Sequence, residues 1–363
     1  MRKILVTILR LFFGKLKICD RTDVKPNNVL IVLTHFSPTE LIATTPLINA
    51  IKINFPVSRI TVVFDRSNSG ILSKNSNIDR TIVFDKKKLF KYKYISNFWR
   101  YLREEYDLAL VPVYSKFSLR SDLIARISGA RIKAGVSSIN KRKNPSAFCF
   151  NIKAELIWLS THDNHISEKI ASIADFVNIS VTKLESTLET DYRDEFETER
   201  FLKRFESYKE RIIIGINASA DRLGDRWYYP NFVLLIKRLK QKYDACIYLT
   251  GFEADRETVN SIVDSLPFTV LVFTEKTTHE FSALISKSDL YVTSNSLLMH
   301  IAGCTDTPQI SLFGTTDPLE FAPLGKNKYF MKKSDIVDEI PVEEVFDLSE
   351  QLIKISPRVR RGV

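Results

Sequence analysis

The sequence predicts an α/β protein made of two doubly wound parallel sheets, one after the other along the chain. Its β-rich runs are apolar throughout rather than alternating, the pattern of parallel strands covered on both faces. Helical patterns separate these runs, as βαβ units require. The rhythm occurs twice, and a polar, charged stretch at residues 183–205 interrupts it. At 363 residues the chain is long enough for two domains, each with its own core.

The elements follow in order. Residues 1–25 form a basic and apolar segment beginning MRKILVTILRLFFGKLKIC. Its apolar stretch is broken by Arg10 and falls far short of the roughly 20 residues that a spanning helix needs. No small-residue cleavage site follows it. Basic residues mixed with Leu, Ile and Phe suit a helix lying on a membrane surface; a helix packed on its own domain is the other reading. In the N-terminal domain, residues 26–185, strands are expected at 29–33, 59–64, 81–84, 108–113 and 131–134. Helical patterns fall between them, for example at 46–54 and 97–104. Residues 186–208 read as the connection, with a charged helix. The C-terminal domain, residues 209–340, restarts at RIIIGINAS (211–219). Helices at 231–243, from Asp255, at 280–286 and at LLMHIAG (297–303) alternate with strands at 246–250, 269–273, LYVTS (290–294) and QISLF (309–313). Residues 341–363 hold a last helix, 342–355, and a basic tail, RVRRG.

Lys and Arg total 53 against 43 Asp and Glu, so anionic partners are favoured unless the excess serves solubility alone. A nucleic-acid role is not expected, because the charge reads as dispersed and no groove-reading module appears. Cys19, Cys149, Cys246 and Cys304 lie far apart without CxxC spacing, which suits free thiols in a reducing compartment. No metal is expected; THDNH (161–165) is the nearest metal-like string. Neither GxGxxG nor GxxxxGK[ST] occurs, so dinucleotide-oxidoreductase and P-loop readings lose their main support. Function must then lie in the loops beyond the carboxyl ends of the strands.

The most informative loop lies in LYVTSNSLLMHIAGCTDTPQISLFGTTDP (290–318). Ser294, Asn295 and Ser296 precede a short apolar helix, and Ser and Asn are favoured N-caps. Free amides at a helix start make an anion site. His300 lies four residues beyond Ser296, about one turn on, and could share that face. A capped crossover with His300 in the core is the plainer alternative.

This segment resembles the NDSGPMHLAAALGTPVVALFGPTDP signature of glycosyltransferase family 9, the lipopolysaccharide heptosyltransferases. VLIVLTHFSPTELIATTPLINAIK (29–52), YDLALVPVYSKFSLRSDLIARISGARIKAGV (106–136), the helix opened by His165, and INASADRLGDRWYYPNFVLLIKRL (216–239) are similar to further family segments, in the same order. The resemblance implies a GT-B fold, two Rossmann-like domains facing a central cleft. It implies inverting, metal-independent sugar transfer from a nucleotide sugar, usually ADP-heptose, without another cofactor. The acceptor would be the lipid A–core oligosaccharide, so a cytoplasmic, peripheral location on the inner face of the inner membrane is expected.

The resemblance also carries residue roles. Glu40 stands where the family has its catalytic Asp, in the place of SLGD. Thr45 and Pro46 read as an N-cap and a first helical residue, which leaves Glu40 in a loop or a separate short turn. Donor binding falls to Ser219, Arg226, Asp255, Thr277, Ser294, Asn295, Ser296, Leu297 and His300. Arg226 would meet the leaving pyrophosphate through its forked donors, and Asp255 would accept ribose hydroxyls. Arg120 would meet an acidic acceptor. Asn295 replaces the family Asp, and Leu297–Leu298 replace Gly-Pro, which leaves open a hexose or N-acetylhexosamine donor, or an idle relative that only binds.

Overall fold

The computed structural model describes residues 2–14, 16–17, 25–158 and 164–356. Lys15, Cys19, Thr161 to Asp163 and the tail RVRRG lie outside the described residues. The chain divides into two compact units, Met1–Leu184 and Glu185–Val363.

Unit 1 begins with α1 (Arg2–Phe13), β1 (Asn28–Leu33), α2 (Pro38–Ile42), α3 (Thr45–Asn54), β2 (Arg59–Asp65), β3 (Arg80–Phe84) and α4 (Tyr92–Leu102). It continues with β4 (Leu108–Val111), α5 (Leu119–Ile127), β5 (Ile132–Ile139), β6 (Arg142–Lys143), β7 (Ile152–Leu156) and α6 (Ile166–Ala171). The sheet order is β3-β2-β1-β4-β5, with β6 and β7 both on β5. Every pairing is parallel except β5 with β6. Val29 through Leu33 are at most 1 % exposed, which explains why an unbroken apolar run reads as a strand covered on both sides. The expected strand at 131–134 continues to Ile139, because β5 goes on pairing past the polar pair Ser137–Ser138 that ends its apolar run.

One face of α1 packs into unit 1. Val6, Leu9 and Phe13 join the cluster containing Leu30, Val32 and Ile124, and the Arg126 guanidinium sits 5.6 Å from the centre of the Phe13 ring. The opposite face leaves Ile4, Leu5, Ile8, Leu11 and Phe12 exposed. The inner face thus packs on its own domain, as one of the two expectations had it. No helix among the described residues is long and apolar enough to cross a membrane.

Unit 2 comprises α7 (Tyr192–Leu202), β8 (Ile213–Asn217), α8 (Tyr229–Tyr243), β9 (Cys246–Gly251), α9 (Arg256–Asp264), β10 (Leu271–Thr274) and α10 (Thr278–Ser286). Then come β11 (Leu290–Ser294), α11 (Leu297–Gly303), β12 (Gln309–Leu312), α12 (Pro318–Phe321), β13 (Lys328–Met331) and α13 (Val342–Ile355). The order β10-β9-β8-β11-β12-β13 is parallel throughout. Segment 186–208, read from the sequence as a connection, is built into this unit. The Phe201 ring of α7 lies 4.7 Å from that of Phe273, and α7 buries Phe201 and Leu202, with Asp194 buried in the capping box and Arg193 and Arg200 exposed. The charged helix expected here is present, and its polar composition hid only its apolar face.

In both sheets the strand order reverses beside the first strand, between β1 and β4 and between β8 and β11. Ligands of open parallel sheets bind at such reversals, beyond the carboxyl ends of the strands. Most of the predicted site residues lie in the loops at these two places, whereas Asp255 and Thr277 follow β9 and β10.

Candidate active site

At the carboxyl end of β1 the chain turns through Thr34, His35 and Phe36 into α2. Ser37 and Glu40 form a reciprocal capping box. The Ser37 N–H donates to Glu40 Oε2 at 2.6 Å, and the Glu40 N–H donates to Ser37 Oγ at 3.3 Å. Glu40 is half-buried on this separate turn of helix, and Oε1 accepts no hydrogen bond recorded among the described residues. The expected cap of the next helix shifts by one residue. Thr44 is the N-cap, Thr45 is the first helical residue, and the Thr44 hydroxyl turns back to the Glu40 carbonyl at 2.7 Å. The Glu40 carbonyl thereby links α2 to the start of α3.

Arg120, on α5, is committed to the fold. It pairs with Asp65 at 3.1 Å, donates to the Thr34 carbonyl and lies 5.0 Å from the centre of the Phe84 ring. It thus ties the ends of β1 and β2 together while still bordering the depression beside it. Beside it, His35 Nδ1 lies 2.9 Å from Ser121 Oγ, which in turn lies 2.8 Å from Thr34 Oγ1. Burial and the Arg120 charge pull the His35 pKa down to about 4, so the ring is neutral near pH 7. His35 Nε2 is buried without a hydrogen-bond partner among the described residues. These groups border an open depression of about 720 Å³ whose lining includes Lys116, Leu119, Leu123 and Ile127. Sequence reasoning passed over His35, although a lone His just past the first strand was the available signal.

In unit 2 the loops after β8 and β11 meet around Asn217. Its Nδ2 donates to Ser296 Oγ at 2.8 Å and to Thr293 Oγ1 at 2.9 Å. Its Oδ1 accepts from Ser219 Oγ at 2.6 Å. Ser219 and Ser296 are therefore brought together by an asparagine that the sequence reading did not single out. Ser294 Oγ is buried beside them with no partner among the described residues.

The capping expectation for α11 is corrected here. Ser296 occupies the N-cap, but its side chain makes no cap bond, because its hydroxyl is held by Asn217. No hydrogen bond to the Leu297 N–H is recorded among the described residues, although the Asp221 carboxylate lies near enough to be favoured by it. Desolvation, then the charges of Asp255 and Asp225, raise the Asp221 pKa against the pull of that N–H. The chain's own acid thus sits where an anion was expected. Half-buried Leu297 opens the helix, and His300 is almost buried near its far end.

Asn295 Nδ2 donates to Asp225 at 3.0 Å. Asp225 is fully buried and also accepts from the Gly314 N–H and Thr316 N–H, each at 3.0 Å, and from the Thr316 hydroxyl. Burial alone would raise its pKa, but these bonds prevail and hold the carboxyl below its usual range. A Cβ on Gly314 would lie 2.0 Å from the Gly224 carbonyl, so glycine allows the β12 loop to close onto this turn. The next residue, Arg226, is exposed and forms no ion pair recorded among the described residues, while Trp227 is buried with Nε1 donating to the Ile340 carbonyl at 3.1 Å. Asp255 Oδ2 accepts from the Phe252 N–H at 2.8 Å and closes the turn before α9. Thr277 caps α10 in a box with Glu280. Among the described residues, no group of three or more His, Cys, Asp or Glu is placed to hold a metal.

The sequence profile of glycosyltransferase family 9 (heptosyltransferase) matches residues 95–339. The chain is 24 % identical over 326 residues to lipopolysaccharide heptosyltransferase 3 of Escherichia coli, covering 88 % of this chain and 92 % of that one. It resembles the crystal structure of a family 9 glycosyltransferase from Veillonella parvula with a TM-score of 0.77 at 18 % identity, covering 91 % of this chain and 98 % of that one. For the E. coli ADP-heptose lipopolysaccharide heptosyltransferase II the TM-score is 0.74 at 18 % identity, with 93 % and 100 % covered. The two parallel sheets and these likenesses give a GT-B fold class. With its profile match spanning more than half its length, the chain belongs to glycosyltransferase family 9, the heptosyltransferase family, and is a glycosyltransferase.

Proposed function

We propose that this chain transfers heptose from ADP-heptose onto the lipid A–core oligosaccharide, with inversion at the anomeric carbon. The observation that carries the reading is where the family-like segments fall: in the loops at the strand-order reversals of both sheets. Heptose transfer to lipopolysaccharide is in the name of the E. coli relative, and ADP-heptose in that of one structural neighbour.

In this mechanism Glu40 takes the proton of the acceptor hydroxyl as its oxygen attacks the anomeric carbon. The oxygen that does not serve the capping box is the one available for the proton. Arg226 meets the pyrophosphate as it leaves, and the phosphate takes the place of Asp221 beside the Leu297 N–H. The raised pKa of Asp221 eases that exchange, because an acid already disfavoured as an anion yields its place more readily. Asp255, Thr277, Ser219, Ser294, Asn295, Ser296 and His300 line or brace the donor side. His35, Lys116 and the depression beside Arg120 take the acceptor. The reaction as proposed uses no metal and no cofactor beyond the donor.

The acceptor is anchored by lipid A, so the enzyme works as a peripheral protein at the cytoplasmic face of the inner membrane, with the exposed stripe of α1 lying in the surface. The functional test is core oligosaccharide from a strain lacking the gene, measured by mass spectrometry. Loss of one heptose supports the reading. Loss of a hexose or N-acetylhexosamine reassigns the donor, and an unchanged core removes the proposal.

A further inference from the structure

Residues 86–103 read KKKLFKYKYISNFWRYLR, with five lysines, two arginines and no acid. The segment therefore carries a local excess of seven positive charges in a chain whose net charge is +10. The charge that reads as dispersed along the sequence is concentrated here. The segment forms the crossover from β3 to β4, a single turn at Lys86–Lys88 followed by α4. Asp85 caps that turn and is itself neutralised by Arg66 at 2.7 Å. Lys86, Lys87, Lys91 and Lys93 are exposed, and no ion pair is recorded for them among the described residues. Between them Phe90 is 99 % exposed and Tyr92 86 % exposed.

An apolar ring left wholly in water forgoes the burial that the fold could have given it. The inner face of α4 does obtain such burial: Leu102 is buried, and Phe98 and Tyr101 pack on the same cluster that receives Val6, Leu9 and Phe13 of α1. The crossover and α1 therefore dock on the same side of the sheet, and each turns apolar side chains outward. We propose that residues 86–93 are a second membrane-contact element, inserting Phe90 and Tyr92 into the interfacial layer of an anionic bilayer while the lysines meet its head groups. Aromatic rings at the level of the head groups, flanked by lysines, are the chemistry of an interfacial anchor. Nucleic acid would satisfy the lysines, but it offers no apolar phase for Leu89 or for the Ile8, Leu11 and Phe12 stripe of α1. The inference deepens the peripheral location proposed above and is independent of the transfer reaction.

The test uses the full chain and extruded vesicles, either phosphatidylglycerol mixed with phosphatidylethanolamine or phosphatidylcholine alone. Each lysine near an anionic surface is worth about fivefold in binding. K87S/K91S/K93S should therefore weaken binding to the anionic vesicles by about a hundredfold, and F90S/Y92S by tenfold or more. These positions are exposed, and circular dichroism checks that the fold is retained. F90W should be quenched by anionic vesicles with brominated acyl chains. Parental binding by both multiple variants, or an unquenched F90W on bound protein, overturns the proposal. If L11S/F12S alone then abolishes binding, α1 is the sole anchor and the location stands. A full chain that binds no anionic vesicle removes both membrane readings, and transfer to a soluble acceptor fragment tests the enzymatic one separately.

Discussion

Replacing Asp225 tests whether the donor-side loops depend on one buried acid. Asp225→Ala removes the acceptor of four donors: the Thr316 N–H and hydroxyl, the Gly314 N–H and the Asn295 amide. The hydroxyl and the amide can turn to new partners, whereas the two backbone N–H groups are fixed. A buried donor left unmatched costs about 1–3 kcal/mol. Two of them set the loss at roughly 2–6 kcal/mol, a large share of an ordinary domain's stability. Both backbone N–H groups bond to the same oxygen, Oδ1, which Asp225→Asn keeps while turning its NH₂ toward the movable amide and hydroxyl, so its loss should be well below that of Asp225→Ala. Urea unfolding followed by tryptophan fluorescence reads both, Trp227 being the buried reporter two residues away. The pH dependence has a definite sign. The folded carboxyl titrates below 3.8, its unfolded value, so its contribution is complete above pH 3.8 and is lost as pH falls through the folded pKa. Asp225→Asn should lack that part of the acid-side loss. If Asp225→Ala unfolds at the parental urea concentration, the four bonds do not organise these loops and the reasoning fails.

Three further outcomes are expected. Glu40→Gln keeps an acceptor for the Ser37 N–H, so thermal stability should stay near the parent's while turnover falls by about 10²–10⁴; parental turnover would remove Glu40 from the mechanism. Arg226→Ala should weaken nucleoside diphosphate binding by about 1.5–3 kcal/mol in calorimetry, and equal affinity would place the phosphates elsewhere. His35 has a folded pKa near 4 against 6.5 unfolded, so its contribution is complete above pH 6.5 and is lost as pH falls toward 4. The gap corresponds to about 3 kcal/mol; His35→Gln should flatten unit 1 stability across that window, and an unchanged slope would refute the assignment.

The strands were legible because both faces of each parallel sheet are covered, which leaves apolar runs such as residues 29–33 unmistakable. The apolar face of α7 was obscured because it is narrow and charges dominate the helix's composition. The placement of candidate residues was legible just past a strand end, as at Ser219 and Asn295. It was less so where side-chain direction decides. S-P-T-E before an apolar run is a capping-box pattern, and it announces a structural task for Glu40 that its place after the first strand does not. Spacing puts Ser296 at an N-cap, but its hydroxyl is held by Asn217, 79 residues away along the chain. Asp221 and Asp225 acquire their partners only when the loops after β8, β11 and β12 close together. Likewise, Arg120 looks like a surface cation until Asp65 and Thr34 are brought beside it.

The most direct test of the proposed reaction is the product formed by the purified full chain from ADP-heptose and a truncated core acceptor, read by mass spectrometry beside Glu40→Gln. The account predicts an acceptor heavier by one heptose residue with the parent, inverted at the anomeric carbon by NMR, and almost none with Glu40→Gln. Retention of configuration, or equal product from Glu40→Gln, would contradict it.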